Sequence, residues 1–139
     1  MFGTIELKGG DFQSRECEGR YNGDTYRTFL NQLLARYACP IILIEDGAPY
    51  HQRKDVKTFK ETLKASSRLF AYKLPPYSPD FNPIEKLWRN AKKQATHCKY
   101  FPTFEDLRTA VVKAFKTYFE DASKVVCVMK KLRTEAGLA

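Results

Sequence analysis

The sequence predicts a single α/β domain built around a mixed sheet. Two antiparallel strands come first, then strands joined through helical crossovers. Three observations carry this. Gly9-Gly10 forms a turn between two short polar–apolar runs. Ile41, Ile42, Leu43 and Ile44 make an unbroken apolar run. Apolar residues at helical spacing occupy the segments on either side of that run. A chain of 139 residues is the size of one domain. The core is expected over about 1–95 and C-terminal helices over 96–139.

The elements follow in order. "TIELKGGDFQSRECEG" reads as a β-hairpin, with Phe2, Ile5 and Leu7 on its apolar face. Asn22-Gly23 is a second turn, and Asp24 then suits an N-cap. Tyr26, Phe29, Leu30, Leu33, Leu34 and Tyr37 predict a helix over about 25–37. "PIILIED" predicts a strand buried on both faces, as in the middle of a mixed or parallel sheet. "HQRKDVKTFKETLKAS" predicts a helix with Val56, Phe59 and Leu63 inward. Arg53, Lys54, Lys57, Lys60 and Lys64 sit mostly away from that stripe. "RLFAYKL" is a further strand, and a helix follows from about Pro83 to Ala95. Thr103 opens another helix, with Asp106 as a loose capping-box partner. Leu107, Val111, Ala114, Phe115 and Tyr118 form its buried face. The tail, "EDASKVVCVMKKLRTEAG", predicts one more short helix.

Composition bounds the function. Hydrophobic residues at 43% and aromatics at 14% build a core, so a disordered chain is excluded. No apolar run reaches the roughly 18 residues of a membrane span. The start, "MFGTIELKGGDF", lacks the pattern of a secretory signal. A cytosolic protein is expected, or a nuclear one in a eukaryote. Cys17, Cys39, Cys98 and Cys127 are scattered without a CxxC pair. Reduced, mostly buried thiols are expected, not a disulfide framework or a zinc site. The net charge of +8 favours a polyanionic partner, nucleic acid first and an anionic membrane surface second.

Two acids stand out. Four of the seven prolines fall within the nine residues Pro75–Pro83 and stiffen the approach to Glu85. Asn82 suits the cap and Pro83 the first helical position. Glu85 then falls at the third, where a capping-box role is the plain alternative to a functional one. Ile84, Leu87, Trp88, Ala91 and Ala95 form one apolar stripe; Glu85, Arg89 and Lys92 line its flank. Trp88 reads as core. Tyr77 is expected to pack under the proline loop and Asp80 to cap its turn. Asp46 ends the apolar strand, where α/β sheets place their sites; a turn cap is its plain alternative. His51 is either a group that positions phosphate or water near Asp46 or an exposed residue at a helix start. Two carboxylates on separate elements of a basic protein suggest Mg²⁺ or Mn²⁺ and phosphoryl transfer. Arg53, Lys54, Lys57, Arg89, Lys92 and Lys93 are the candidate phosphate contacts, with a solvated helix face as the alternative for each.

"LIEDGAPYH" followed by "LPPYSPDFNPIEKLW" resembles the catalytic core of DDE transposases. The likeness is to the Tc/mariner-related group, and most closely to its bacterial insertion-sequence branch. "FGTIEL…GDF…GRYNGDTYRTFLNQLL" is similar to the hairpin and helix before the second acid of those proteins. The resemblance covers about residues 1–95. It implies a ribonuclease H-like mixed sheet flanked by helices, Mg²⁺-dependent (or Mn²⁺-dependent) DNA cleavage and strand transfer, a DNA partner without membrane association, and a bacterial cytoplasmic setting. It places the second metal-holding acid at Asp46 and the third at Glu85, with support from His51 and Asn82. Gly47 stands where the family usually has Asn. The family's first acid lies on a strand before the hairpin; Asp11 and Asp24 do not match it, so a core lacking that strand is expected. Such a chain is expected to be inactive or weak alone and to form a homo-oligomer covering its exposed sheet edge. The competing reading is a non-catalytic DNA-binding or dimerisation module derived from a transposase. A ribonuclease acting on RNA–DNA hybrids shares the fold but not the proline motif.

Overall fold

The computed structural model describes residues 1–76, 78, 81–135 and 137–138. Strands β1 (Phe2–Ile5) and β2 (Phe12–Arg15) pair first. Then come α1 (Gly23–Arg36), β3 (Ile41–Glu45), a 3₁₀ turn (Pro49–Gln52), α2 (Lys54–Ala65) and β4 (Leu69–Lys73). The chain continues with α3 (Pro83–Thr96), α4 (Phe104–Glu120), α5 (Ala122–Val128) and α6 (Lys130–Glu135). The architecture is mixed α/β, consistent with the expected ribonuclease H-like fragment. Among the described residues the strands form two sheets of two, β1 with β2 and β3 with β4. The chain divides into two compact units, residues 1–2 with 14–78 and residues 3–13 with 79–139. Tyr77 and Asp80, expected in the proline loop, lie outside the described residues.

The first unit is a parallel β–α–β arrangement with α1 added. Ile41 pairs with Leu69 and Glu45 with Lys73 at the two ends of the register. Its core holds Phe2, Tyr26, Phe29, Leu30, Leu33, Leu43, Val56 and Leu69. α1 is capped by Asn22, not by the expected Asp24. The Asn22 side chain accepts from the backbone N–H groups of Asp24 (2.9 Å) and Thr25 (3.0 Å). Thr25 Oγ1 accepts in return from the Asn22 N–H at 3.0 Å, closing a capping box. Gly23 follows the cap, and the Arg53 side chain lies over it, 2.8 Å from where a Cβ would stand.

Two expectations for this unit are corrected. β3 is not buried on both faces: Ile42 is 71% exposed and Ile44 58%. The sheet here is two strands wide; Leu43 joins the core with α1 and α2, and Ile41, on the same face, packs against it half-buried. Ile42 and Ile44, one residue out of phase, take the other face. The helix expected from His51 begins instead at Lys54. Pro49 opens a tight turn, with the His51 N–H donating to Ala48 O at 3.0 Å, and Arg53 is extended before α2 starts.

In the second unit the hairpin turn is closed by Glu6 N–H donating to Asp11 O (2.8 Å) and Gly10 N–H donating to Glu6 O (3.0 Å). Gly10 has φ of +80°, and a Cβ there would meet Val126 at 2.8 Å, so glycine is required. α3 buries Leu87, Ala91 and Ala95; α4 buries Ala114, Phe115 and Tyr118. Trp88 is half-buried and meets Phe115 edge-on, with ring centroids 4.6 Å apart, so it packs at the border of the core. Thr103 and Asp106 form the expected capping box on α4. The tail makes two short helices where one was expected. Arg133 of α6 donates to the carbonyls of Leu7 (2.7 Å) and Lys8, fixing the hairpin turn.

The four thiols are free, but Cys39, Cys98 and Cys127 are exposed and Cys17 is half-buried. The expectation of mostly buried cysteines is thereby corrected; the cores are filled by aliphatic and aromatic side chains instead. No helix among the described residues is long and apolar enough to cross a membrane.

The C-terminus of α1 depends on one side chain. Arg68 donates through Nη2 to Leu34 O (3.1 Å) and Tyr37 O (3.0 Å), and through Nη1 to Cys39 O (3.2 Å) and Ala38 O. It thus satisfies the Leu34 carbonyl of the last turn and the carbonyls of the three residues that follow the helix. Arg68→Ala should cost about 2–3 kcal/mol in urea unfolding, given about 1.5–3 kcal/mol for a charged hydrogen bond. Arg68→Lys should recover less than half, because an ammonium cannot fork across four carbonyls.

Candidate catalytic carboxylates

Successive side chains of a strand point to opposite faces, so the last residues of β3 divide between core and solvent. Glu45 shares the inward register of Leu43, and its side chain is only 7% exposed. It accepts a hydrogen bond from Tyr26 Oη at 2.5 Å and an ion-pair contact from Lys60 Nζ. Lys60 also lies 5.3 Å from the centre of the Tyr26 ring and donates to His51 O at 3.4 Å. Burial, then the Glu45 charge and hydrogen bond, pushes the Tyr26 phenol far above the usual tyrosine range.

Asp46 is turned outward, its side chain 52% exposed. Its Oδ1 accepts from the Ala48 N–H at 3.0 Å and faces His51 Nδ1 at 3.2 Å. The same Nδ1 lies 3.1 Å from the Asp46 carbonyl oxygen. Both neighbours are acceptors, so Nδ1 carries the hydrogen. His51 is 6% exposed and packs against the rings of Tyr26 (4.3 Å) and Tyr50 (4.5 Å). The alternative of an exposed helix-start histidine is therefore corrected: the residue is buried within a 3₁₀ turn that folds back on Asp46. Burial, then Asp46 and Glu45, raises the Tyr50 phenol above its ordinary value.

Glu85 is the third residue of α3, exposed, with its backbone N–H donating to Asn82 O at 3.1 Å. Asn82 occupies the cap position but makes no side-chain cap hydrogen bond, which corrects that expectation. The capping-box alternative for Glu85 is likewise not formed: among the described residues its carboxylate has no partner. Asp46 belongs to the first unit and Glu85 to the second.

The basic residues differ in availability. Arg53 grips Asp55 in a two-point contact, Nε to Oδ1 at 3.0 Å and Nη2 to Oδ2 at 3.1 Å, and reaches Asp24 at 3.5 Å. It lines an open groove of about 700 Å³ with Arg27, Lys54, Asp55 and Phe59. Lys54 and Lys57 are exposed on α2; Arg89, Lys92 and Lys93 are exposed on α3.

Sequence reasoning missed the Tyr26–Glu45–Lys60 cluster. Its signals were present: Glu45 shares parity with Leu43, and Lys60 stands four residues after Val56, within the apolar stripe of α2.

The raised Tyr26 value has a definite consequence for pH. The stability tied to the protonated phenol is fully present below the unfolded tyrosine value of about 10. It is lost as pH rises from there toward the folded value. Of the eight tyrosines, one should therefore ionise only as the protein unfolds in an ultraviolet tyrosinate titration. Tyr26→Phe should remove that one and cost about 1–3 kcal/mol in urea unfolding at neutral pH, the loss of a buried hydrogen bond to a charged acceptor.

Neither the curated proteins nor the solved structures compared with the chain include a match. The family model described as DDE superfamily endonuclease matches residues 1–108. That span takes in the hairpin, the β3 acids, the proline segment and α3. The chain therefore belongs to the DDE superfamily endonuclease family.

Proposed function

We propose that the chain is a portion of a transposase catalytic core of the Tc/mariner-related, bacterial insertion-sequence type, and that Asp46 and Glu85 are two of its metal-holding acids. Membership of a DDE endonuclease family implies DNA as substrate. The observation that carries the assignment is the state of the two acids. Asp46 has one oxygen accepting from the Ala48 N–H, with His51 Nδ1 3.2 Å away, and the other without a hydrogen-bond partner among the described residues. Glu85, exposed in the first turn of α3, has no partner among the described residues.

These donors suit Mg²⁺ or Mn²⁺ in kind, since hard divalent cations take carboxylate oxygens. They do not suit a closed site in number: among the described residues no three His, Cys, Asp or Glu side chains gather to hold a metal. Asp24 is taken up by Arg53 and Asp11 stands at the hairpin turn, so the first acid of the family pattern is assigned to neither. A chain with two of three acids is inactive or weak alone. Such metals, when bound, activate water and neutralise charge on phosphate oxygens; this chain's residues hold and orient the carboxylates.

A second reading, a DNA-binding or dimerisation module, is favoured by one observation. Ile42, Ile44 and Tyr72, with exposures of 71%, 58% and 59%, share one bare apolar face of the β3–β4 pair. Its covering by a second copy would account for the homo-oligomer expected of the family.

Calorimetric titration with Mn²⁺ should show binding that Asp46→Asn abolishes. Supercoiled plasmid with Mn²⁺ should remain largely uncut; robust cleavage lost in Glu85→Gln would sink the claim of inactivity. In DNA binding, Lys92→Ala with Lys93→Ala should lower the slope of log affinity against log salt by about 2, near 0.9 per phosphate contact. Arg53→Ala should change it by less than about 0.5, because its charge is already matched by Asp55 and Asp24.

A further inference from the structure

The cluster behind Asp46 contains a group with no place in the reading above. Lys60 leaves α2 on the apolar stripe, and its side chain is only 12% exposed. An ammonium taken so far from water is costly unless its donors are used. It makes an ion pair with Glu45, donates to His51 O at 3.4 Å, and lies over the Tyr26 ring at 5.3 Å. Glu45 and His51 bracket Asp46, so one ammonium holds both ends of the segment that carries the exposed acid.

We propose that Lys60 is a positioning residue for Asp46, acting through Glu45 and the main chain of His51. This rests on the reading of Asp46 as a metal-holding acid. With its carbonyl tied to Lys60 and its ring packed against Tyr26 and Tyr50, His51 donates Nδ1–H to the Asp46 main-chain carbonyl at 3.1 Å and keeps that nitrogen 3.2 Å from Oδ1 of the carboxylate. The Ala48 N–H holds the same oxygen at 3.0 Å. Oδ1 thus has the Ala48 donor and the His51 ring beside it, and Oδ2 remains for a ligand. Outer groups of this kind orient the carboxylates that bind metals. Two apolar side chains of equal volume would join α2 to β3 as firmly as the Glu45–Lys60 pair does. They would not hold the His51 carbonyl.

The test uses the 139-residue chain, Mn²⁺ alone as probe, and nitrogen-15 NMR of the histidine rings. His97, the other of two histidines, is exposed and serves as the internal reference. Glu45→Gln with Lys60→Met removes both buried charges together, so neither is left stranded. This variant should fold cooperatively, bind Mn²⁺ about tenfold more weakly, and lose the slowly exchanging His51 Nδ1–H signal. Lys60→Arg should keep the signal and hold the affinity within about threefold of wild type. A folded double variant with wild-type Mn²⁺ affinity and an intact His51 signal overturns the proposal, as does a folded Lys60→Arg protein that loses both. If the double variant does not fold, Lys60→Arg decides. If Mn²⁺ binds wild type and Asp46→Asn alike, or neither, the metal reading of Asp46 fails instead. The His51 signal then judges Lys60 by itself: persistence in the double variant overturns the role and loss supports it.

Discussion

A carboxylate placed in the core at the end of β3 constrains the first unit more than any single apolar contact does. Burying one ion without a partner costs several kcal/mol, a large share of a small domain's stability. Glu45 is therefore tolerated only with Tyr26 of α1 and Lys60 of α2 delivered to the same place. Their delivery fixes how both helices lie against the strand. It also fixes what comes next. With Glu45 inward, strand alternation sends Asp46 outward. The buried and the exposed acid are thus one arrangement: the first sets the backbone from which the second projects.

The second unit holds its acid by different means. Glu85 owes its place to the start of a helix. Pro83 supplies the helical φ at a position where its missing N–H had no partner to lose. The unpaired N–H groups of the first turn favour a negative charge there. Leu87, Ala91 and Ala95 bury the opposite side of α3, and Trp88 is wedged against Phe115. The helix cannot rotate about its axis without exposing that stripe, so packing fixes the direction of a side chain that itself packs against nothing described.

Periodicity made most of this legible. The alternation of the hairpin, the helical stripes of α1, α3 and α4 and the Thr103–Asp106 box were readable because each is a local pattern with a local cause. What escaped reading depended on distant residues. The apolar run Ile41–Ile44 reads the same whether a strand has one covered face or two. Only the width of the sheet decides, and nothing within the run encodes it. Asn22 and Asp24 are both good caps, and the reciprocal Thr25 hydroxyl chose between them. Lys60 looked like one of several solvated lysines on α2. Its inward turn depends on Glu45, fifteen positions earlier. At the candidate site the acids themselves were visible from Asp46 and Glu85 standing at element ends, while the groups that hold Asp46 were not.

The same distinction governs how the charge of +8 can act on a polyanion. Arg68 is committed to the carbonyls at the end of α1, Arg133 donates to the hairpin turn, and Lys60 is paired inside the first unit. Arg53 is shared between Asp55 and Asp24. These cations still count in the far field. At contact distance, however, a phosphate would have to displace partners already in place, and the carboxylates beside them would repel it. Screening confines useful attraction to about 8–10 Å at physiological salt, so near-field availability decides affinity. By that measure, of the six candidate phosphate contacts, Lys54 and Lys57 on α2 and Arg89, Lys92 and Lys93 on α3 are exposed without a carboxylate partner among the described residues, while Arg53 is not. The last three rise from the helix that carries Glu85 in its first turn, which places exposed positive charge on the same element as one of the two candidate acids.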